Sequence, residues 1–155
     1  MENYRFYSFT NMYLSSMQKG IQTAHAVSEM SVDYQCYSGD PSPGFLIYND
    51  WAESDKTIIV LDGGNQATLN KLYTDLTSVI DIYNFQYPVV KFHEDEQSLN
   101  GALTCVGIIL PEDVYRWNSE MLVDETGDSY HPYENKLPLG TFAIQKLIHR
   151  YRLAV

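Results

Sequence analysis

The chain reads as an α/β protein with helices packed on both sides of a small sheet. Residues 56–62 form a continuous β-branched run that Gly63-Gly64 stops, as expected of a strand buried on both faces. Leu69, Leu72, Tyr73, Leu76, Val79, Ile80 and Tyr83 then step round at three and four, the pattern of an amphipathic helix. Strand-like and helix-like segments alternate on either side of this pair, which predicts helical layers over a sheet.

In chain order, Tyr4-Arg5-Phe6-Tyr7-Ser8-Phe9 is aromatic and nearly alternating, a strand. A helix follows from about Ser16 to Val32. Ser15 with Gln18 three residues on fits a capping box, and Leu14, Met17, Ile21 and Ala24, then Val27 and Met30, mark its apolar side. Gly39 to Gly44, with Pro41 and Pro43, form a loop. Residues 45–51 fit either a short helix or an extended piece. After strand 56–62, Asn65 caps the long helix, 87–92 reads as a strand with Pro88 near its start, and 93–101 is a polar turn. Residues 102–109 form a fourth strand, and Pro111-Glu112-Asp113 begins a helix with Pro in its first turn. Residues 122–138 are expected to be an irregular loop. A last helix is expected over 139–153, with Phe142, Ala143, Leu147, Ile148 and Tyr151 inward and Gln145, Lys146, His149 and Arg150 facing elsewhere.

Composition bounds the function. With 155 residues, 45% of them hydrophobic, the chain has apolar material for one core, and no repeat or linker divides it, so 1–155 is read as one domain. No stretch approaches the roughly 18 apolar residues of a membrane span, and the amino end lacks the apolar run of a secretion signal, so a cytoplasmic protein is expected. Cys36 and Cys105 stand far apart with no CxxC spacing. Both are read as buried thiols, with no zinc site and no disulfide framework. The net charge of −10 disfavours a surface that tracks RNA, because such binding depends on many cationic contacts to phosphate. Residues 92–134 hold ten acids and a single base, Arg116, while Lys146, Arg150 and Arg152 crowd the carboxyl end. That asymmetry suits a small anion at one spot or head-to-tail contact between subunits.

The first helix carries the candidate site. Gln18, Lys19 and the Gly20 amide share its amino end, where unpaired N–H groups, the positive dipole end and a cation favour an anion such as phosphate. Thirteen tyrosines offer flat faces for a base, and Tyr13 stands beside this helix start. Phosphate-loop, serine-hydrolase and zinc-protease motifs are absent, and nothing in the sequence indicates a cofactor or a metal.

The order of strand, helix with Gln22-Thr23-Ala24-His25-Ala26, strand ending Asp62-Gly63, long helix, strand and Gly101-Ala102-Leu103-Thr104-Cys105-Val106-Gly107-Ile108 resembles the type II peptidyl-tRNA hydrolases. That family shows a helix motif G-K-x-A-A-Q-x-x-H-A and a last strand G-T-x-T-x-x-G-I. The resemblance covers Tyr4 to Pro111 and leaves 112–155 as an extension. It implies a three-layer α/β/α fold with a mixed four-stranded sheet, usually assembled as a dimer, so a homo-oligomer is expected. Gln22 falls on the motif glutamine, His25-Ala26 on its closing pair, Thr104 on the second threonine and Gln97 on a glutamine of the turn before the last strand. The family's lysine, expected to act in ester cleavage, falls on Gln18, with Lys19 one position late. One position is a turn of about 100° on a helix, so Lys19 does not simply replace it. The family's aspartate falls on Phe92 or His93 and its turn threonine on Glu96, so the catalytic set is mostly broken. Glu94-Asp95-Glu96 would also repel RNA phosphates.

These residues also have plainer readings. His25 fits a hydrogen-bonded core histidine, Lys19 a solvated lysine, Gln22 a bridge from helix to strand, and Thr104 a packing residue with a satisfied hydroxyl. Lys146, His149 and Arg150 fit a wet helix face, and Glu94-Asp95-Glu96 a solvated turn. The leading expectation is a hydrolase-like module that has lost cleavage and binds a small nucleotide ligand through Tyr13, Gln18, Lys19, Gly20, Gln22, His25, Gln97 and Thr104, with Lys146, His149 and Arg150 as second-tier contacts. In a phage such a module would serve as a counter-defence sponge for cyclic nucleotide immune signals, a step that rests on analogy. The alternatives are an active peptidyl-tRNA hydrolase using Lys19, Gln22, His25 and Thr104, and a protein-interaction domain without a ligand.

Overall fold

A computed structural model of the chain describes residues 3–36, 39–115, 122–123, 129–130 and 139–154. Its strands are β1 (Tyr4–Thr10), β2 (Ile58–Asp62), β3 (Val89–His93) and β4 (Leu103–Pro111), with a two-stranded pair β5 (Leu122–Val123) and β6 (Ser129–Tyr130). Its helices are α1 (Ser16–Asp33), α2 (Pro43–Asp50), α3 (Gln66–Tyr83), α4 (Glu96–Leu99), α5 (Glu112–Tyr115) and α6 (Leu139–Ile148). The four main strands form one mixed sheet in the order β2-β1-β4-β3, with β1 and β2 parallel and both neighbours of β4 antiparallel to it. Arg116 and most of 122–138 lie outside the described residues.

Alternation along β1 divides the core. Tyr7 and Phe9 join Val106, Ile108 and Leu110 of β4 under Leu69, Leu72 and Leu76 of α3 and Ile144 and Ile148 of α6. Tyr4 and Phe6 join Cys105, Ile109 and Val90 under Ala26 and Met30 of α1 and Trp51. Helices therefore cover both faces, and β4, in the middle, is buried at every position. Burying each of the three α3 leucines contributes about 1.5–3 kcal/mol. The extension shares this core, because α6 supplies two of its residues.

Several elements depart from expectation. β2 is an edge strand with Ile58 exposed, not a strand buried on both faces. Its β-branched run reflects strand propensity more than burial. The last helix stops at Ile148, and the chain turns to pair Leu153 with Leu61. Asp62 N–H donates to Arg152 O at 2.9 Å and Ala154 N–H to Val60 O at 3.0 Å, so the tail covers the β2 edge. Gln145 is buried on the inner side of α6. Residues 45–51 are helical, with Ser42 as cap and Pro43 in the first turn, and the helix widens into a π turn over Trp51–Asp55. Pro111 ends β4 instead of starting α5, and the polar turn contains α4. Cys36 is exposed, and Cys105 alone is a buried thiol.

The largest correction concerns α1. Met17 is 78% exposed, Ile21 46%, and Ala24 faces solvent, whereas the buried side is Lys19, Gln22, Thr23, Ala26 and Met30. The apolar stripe of its first two turns points outward because hydrogen bonds, not apolar area, dock that end on the sheet.

Gly107 marks where β4 meets the Phe6 ring: an added Cβ would lie 2.5 Å from Phe6 Cζ and 3.2 Å from Val90 Cγ1. Gly107→Ala is expected to destabilise the protein by about 1–3 kcal/mol through overpacking, read as a lower urea midpoint with an unchanged m-value.

Candidate functional site

The parallel strands β1 and β2 end side by side and their chains part. From β1 the chain enters α1 on one face; from β2 it enters α3 on the other. The crevice outside the carboxyl ends of parallel strands, where successive connections leave to opposite faces, is where open α/β sheets hold ligands. Backbone bonds stitch its floor, from Gly63 N–H to Thr10 O at 2.7 Å and from Met12 N–H to Gly64 O at 2.8 Å. A cavity of about 490 Å³ opens there, a volume in the range of small-molecule sites. Asn11, Tyr13, Leu14 and Gln18 wall it on the α1 side and Asn65, Gln66 and Ala67 on the α3 side. Leu99, Ala102 and Thr104 close it from α4 and β4.

Both flanking helices are capped at this cavity. Ser15 and Gln18 form the expected capping box, and Asn65 caps α3 by accepting from Thr68 N–H. The backbone N–H groups of Gln66 and Ala67 belong to the first turn of α3 and have no intrahelical acceptor.

A buried polar layer lies behind the cavity wall. Val89 to Phe92 pair in step with Ile108 to Cys105, but His93 pairs with Leu103, so Thr104 is one residue extra in β4. That bulge lets the Thr104 hydroxyl donate to Gln22 Oε1 at 2.7 Å. Gln22 Nε2 donates to Glu94 Oε2 at 2.8 Å, which fixes the orientation of the amide. At the next residue, the Thr23 hydroxyl donates to Lys19 O at 2.8 Å and lies 2.7 Å from Ser8 Oγ. Its single proton is then spent, so Ser8 donates to Thr23, and Cys105 Sγ, 3.1 Å from Ser8 Oγ, is the donor to Ser8. Burial pushes the Cys105 thiol up to about 12, outweighing the Ser8 contact, and keeps the proton on sulfur.

The sequence-derived candidates separate into groups. Tyr13, Gln18 and Thr104 line the cavity, and Gln22 braces Thr104 from behind. Lys19 is 8% exposed and sits on the sheet side of α1, on one face with Gln22, and not on the cavity wall. No acceptor among the described residues stands within hydrogen-bond reach of its ammonium. Gly20 faces open space. The expected seat made by Lys19 and the Gly20 amide is thus not built, because the polar face of α1 docks inward and leaves Gly20 outside. His25 packs its ring 4.8 Å from Phe92, and its buried Nδ1 has no hydrogen-bond partner among the described residues, so the hydrogen bond expected of a core histidine is not found at that nitrogen. Gln97 is exposed on α4. Lys146 lies over the Phe142 ring, and burial lowers the pKa of His149. Arg150 lines a separate cavity of about 290 Å³ with Met12, Asp62 and Gly64.

Asn11, Asn65, Gln66 and the half-buried Glu94 were missed as site residues. Asn65 and Gln66 carried one usable signal, their position directly after a strand and a glycine pair. Glu94 had none, since a turn acid becomes an acceptor for Gln22 only once α1 lies across β3. Among the described residues no cluster of three or more His, Cys, Asp and Glu side chains could hold a metal, and no helix is long and apolar enough to cross a membrane. No protein-family model matches the chain, and no curated protein matches it either.

Thr104→Val leaves Gln22 Oε1 without its buried donor, and an unfolding free energy lower by about 1–3 kcal/mol is expected, with Thr104→Ser recovering most of it. In a thiol-reagent titration of the native protein at pH 8, Cys36 is expected to react and Cys105 to stay protected until denaturant is added.

Proposed function

We propose that the protein is a non-catalytic binding module for a small nucleotide-type ligand, held in the cavity at the carboxyl ends of β1 and β2. The character of the wall carries this reading. In a chain of net charge −10, the cavity is lined by apolar side chains, carboxamides and two hydroxyl-bearing residues, with no Asp or Glu. Such a wall admits an anion that most of this acidic protein would repel, and the exposed Tyr13 offers a flat face to a base.

The same wall argues against turnover. It carries no His, Lys, Cys or carboxylate able to take or give a proton at neutral pH, and Gln22 is already engaged at both ends of its amide. The element order and mixed four-stranded sheet support placing the chain on a type II peptidyl-tRNA hydrolase-like scaffold that has kept the crevice and lost cleavage. Binding without turnover acts by sequestration, the mode a sponge for cyclic nucleotide signals requires.

A thermal-shift panel of mononucleotides, cyclic dinucleotides and cyclic oligonucleotides tests the reading. A ligand at 100 times its Kd adds about 2.7 kcal/mol, a rise in Tm of roughly 5–10 °C for a domain of this size. A flat response across the panel would sink the proposal. Release of peptide from N-blocked aminoacyl-tRNA, lost in Lys19→Met, would instead establish the enzyme; here Lys19→Met is expected to leave the ligand-induced shift intact.

A further inference from the structure

We infer that the cavity is a one-sided donor site in which the carboxamide nitrogens of Gln18, Asn65 and Gln66 hold a phosphate group, with the base lying toward Tyr13; this rests on the nucleotide reading above. A carboxamide has one accepting oxygen and one donating nitrogen, and here backbone N–H groups decide which end is spent. Ser15 N–H donates to Gln18 Oε1 at 2.9 Å, Thr68 N–H to Asn65 Oδ1 at 2.9 Å, and Leu103 N–H to Gln66 Oε1 at 3.4 Å. A backbone N–H cannot accept, so each oxygen is turned to the protein. None of the three nitrogens has an acceptor within hydrogen-bond distance among the described residues.

Asn11, the fourth amide of the wall, is different. Its oxygen accepts from Tyr13 N–H at 3.1 Å and its nitrogen donates to Leu103 O at 3.2 Å, so it shapes the cavity and has no donor nitrogen left idle. Thr104 sends its hydroxyl proton to Gln22. With the oxygens of Gln18, Asn65 and Gln66 turned to the protein, the side chains of the wall present a ligand with donors more than acceptors. An ammonium or an exocyclic amine is less well served there, whereas a phosphate oxygen, which only accepts, suits the three exposed amide nitrogens that line this one cavity. Leu14, Ala67 and Leu99 leave the rest of the wall apolar, suited to the body of a base.

The structural use of each oxygen makes a clean test available. Gln18→Glu, Asn65→Asp and Gln66→Glu each keep an acceptor for the same backbone N–H and replace the donor nitrogen by a charged acceptor. Glu completes a Ser-x-x-Glu capping box, Asp caps as well as Asn, and both acids suit a helix amino end, so the unliganded Tm should hold or rise. Calorimetric titration of the full chain would compare the four ribonucleoside 5′-monophosphates, their nucleosides, inorganic phosphate and acetate. The expected result is a nucleotide bound at least tenfold more tightly than its nucleoside, competition by phosphate but not by acetate, and at least tenfold weaker nucleotide binding in each variant at unchanged or higher Tm. Nucleotide binding that survives all three substitutions, or a nucleoside that binds as well as its monophosphate, would overturn this inference and leave the nucleotide reading standing. Acetate competing as well as phosphate would overturn the assignment to phosphate. Failure of the wild-type chain to bind any of the monophosphates overturns this inference and leaves the nucleotide reading to the cyclic ligands of the thermal-shift panel.

Discussion

The hydrogen bonds that seat the amino-terminal half of α1 on the sheet, Thr104 to Gln22 and Ser8 to Thr23, are the constraint on which the site depends. Buried polar groups cost free energy unless they are paired, and these pair α1 with both β4 and β1. Meeting both bonds at once leaves little freedom for the helix to slide or roll. The bulge at Thr104 serves the same end, since without the extra residue its hydroxyl would point to the α3 face. With α1 so fixed, Ser15 and Gln18 arrive beside the end of β2, and the cavity follows.

That seating has a visible cost in exposed apolar surface. Tyr13, just before α1, is 79% exposed and Met17 nearly as much, and Met17 and Ile21 lie on the exposed side of the helix. An ordinary amphipathic helix would bury them and show Lys19 and Gln22 to water. The inversion holds only for the first turns; by Ala26 and Met30 the helix packs on Phe6, Trp51 and Ile109 in the usual apolar way. A gain in core packing has been forgone where the helix meets the crevice, and hydrogen bonds to the sheet take its place.

The cavity draws its chemistry from caps. Ser15, Gln18 and Asn65 are residues chosen for starting helices, and capping spends their oxygens on backbone N–H groups. What remains of Gln18 and Asn65 is a nitrogen. Because two helices begin on either side of one crevice, these remainders gather, and Gln66 adds a third through its bond to Leu103. In an acidic protein, the wall of this cavity carries carboxamides and no charged side chain.

Much of the architecture was legible from residue order. The Ser15 and Asn65 caps, the α3 stripe, the paired glycines after β2 and the apolar run of β4 are local signals, and local signals report local backbone preference. The inward face of α1, the edge position of β2, the end of α6 and the pairing of its tail were not legible, because each depends on which distant segment lies alongside. Periodicity shows that a helix has two sides and cannot say which one meets the sheet when the polar side finds hydrogen-bond partners there. The sequence alone therefore determined that α1 and α3 start at the Ser15 and Asn65 caps and that the chain is acidic and α/β. Only tertiary structure decided that Lys19 goes inward, that Thr104 meets Gln22, and that two helix starts share one cavity, since those outcomes rest on contacts between separate elements, up to the 82 positions between Gln22 and Thr104.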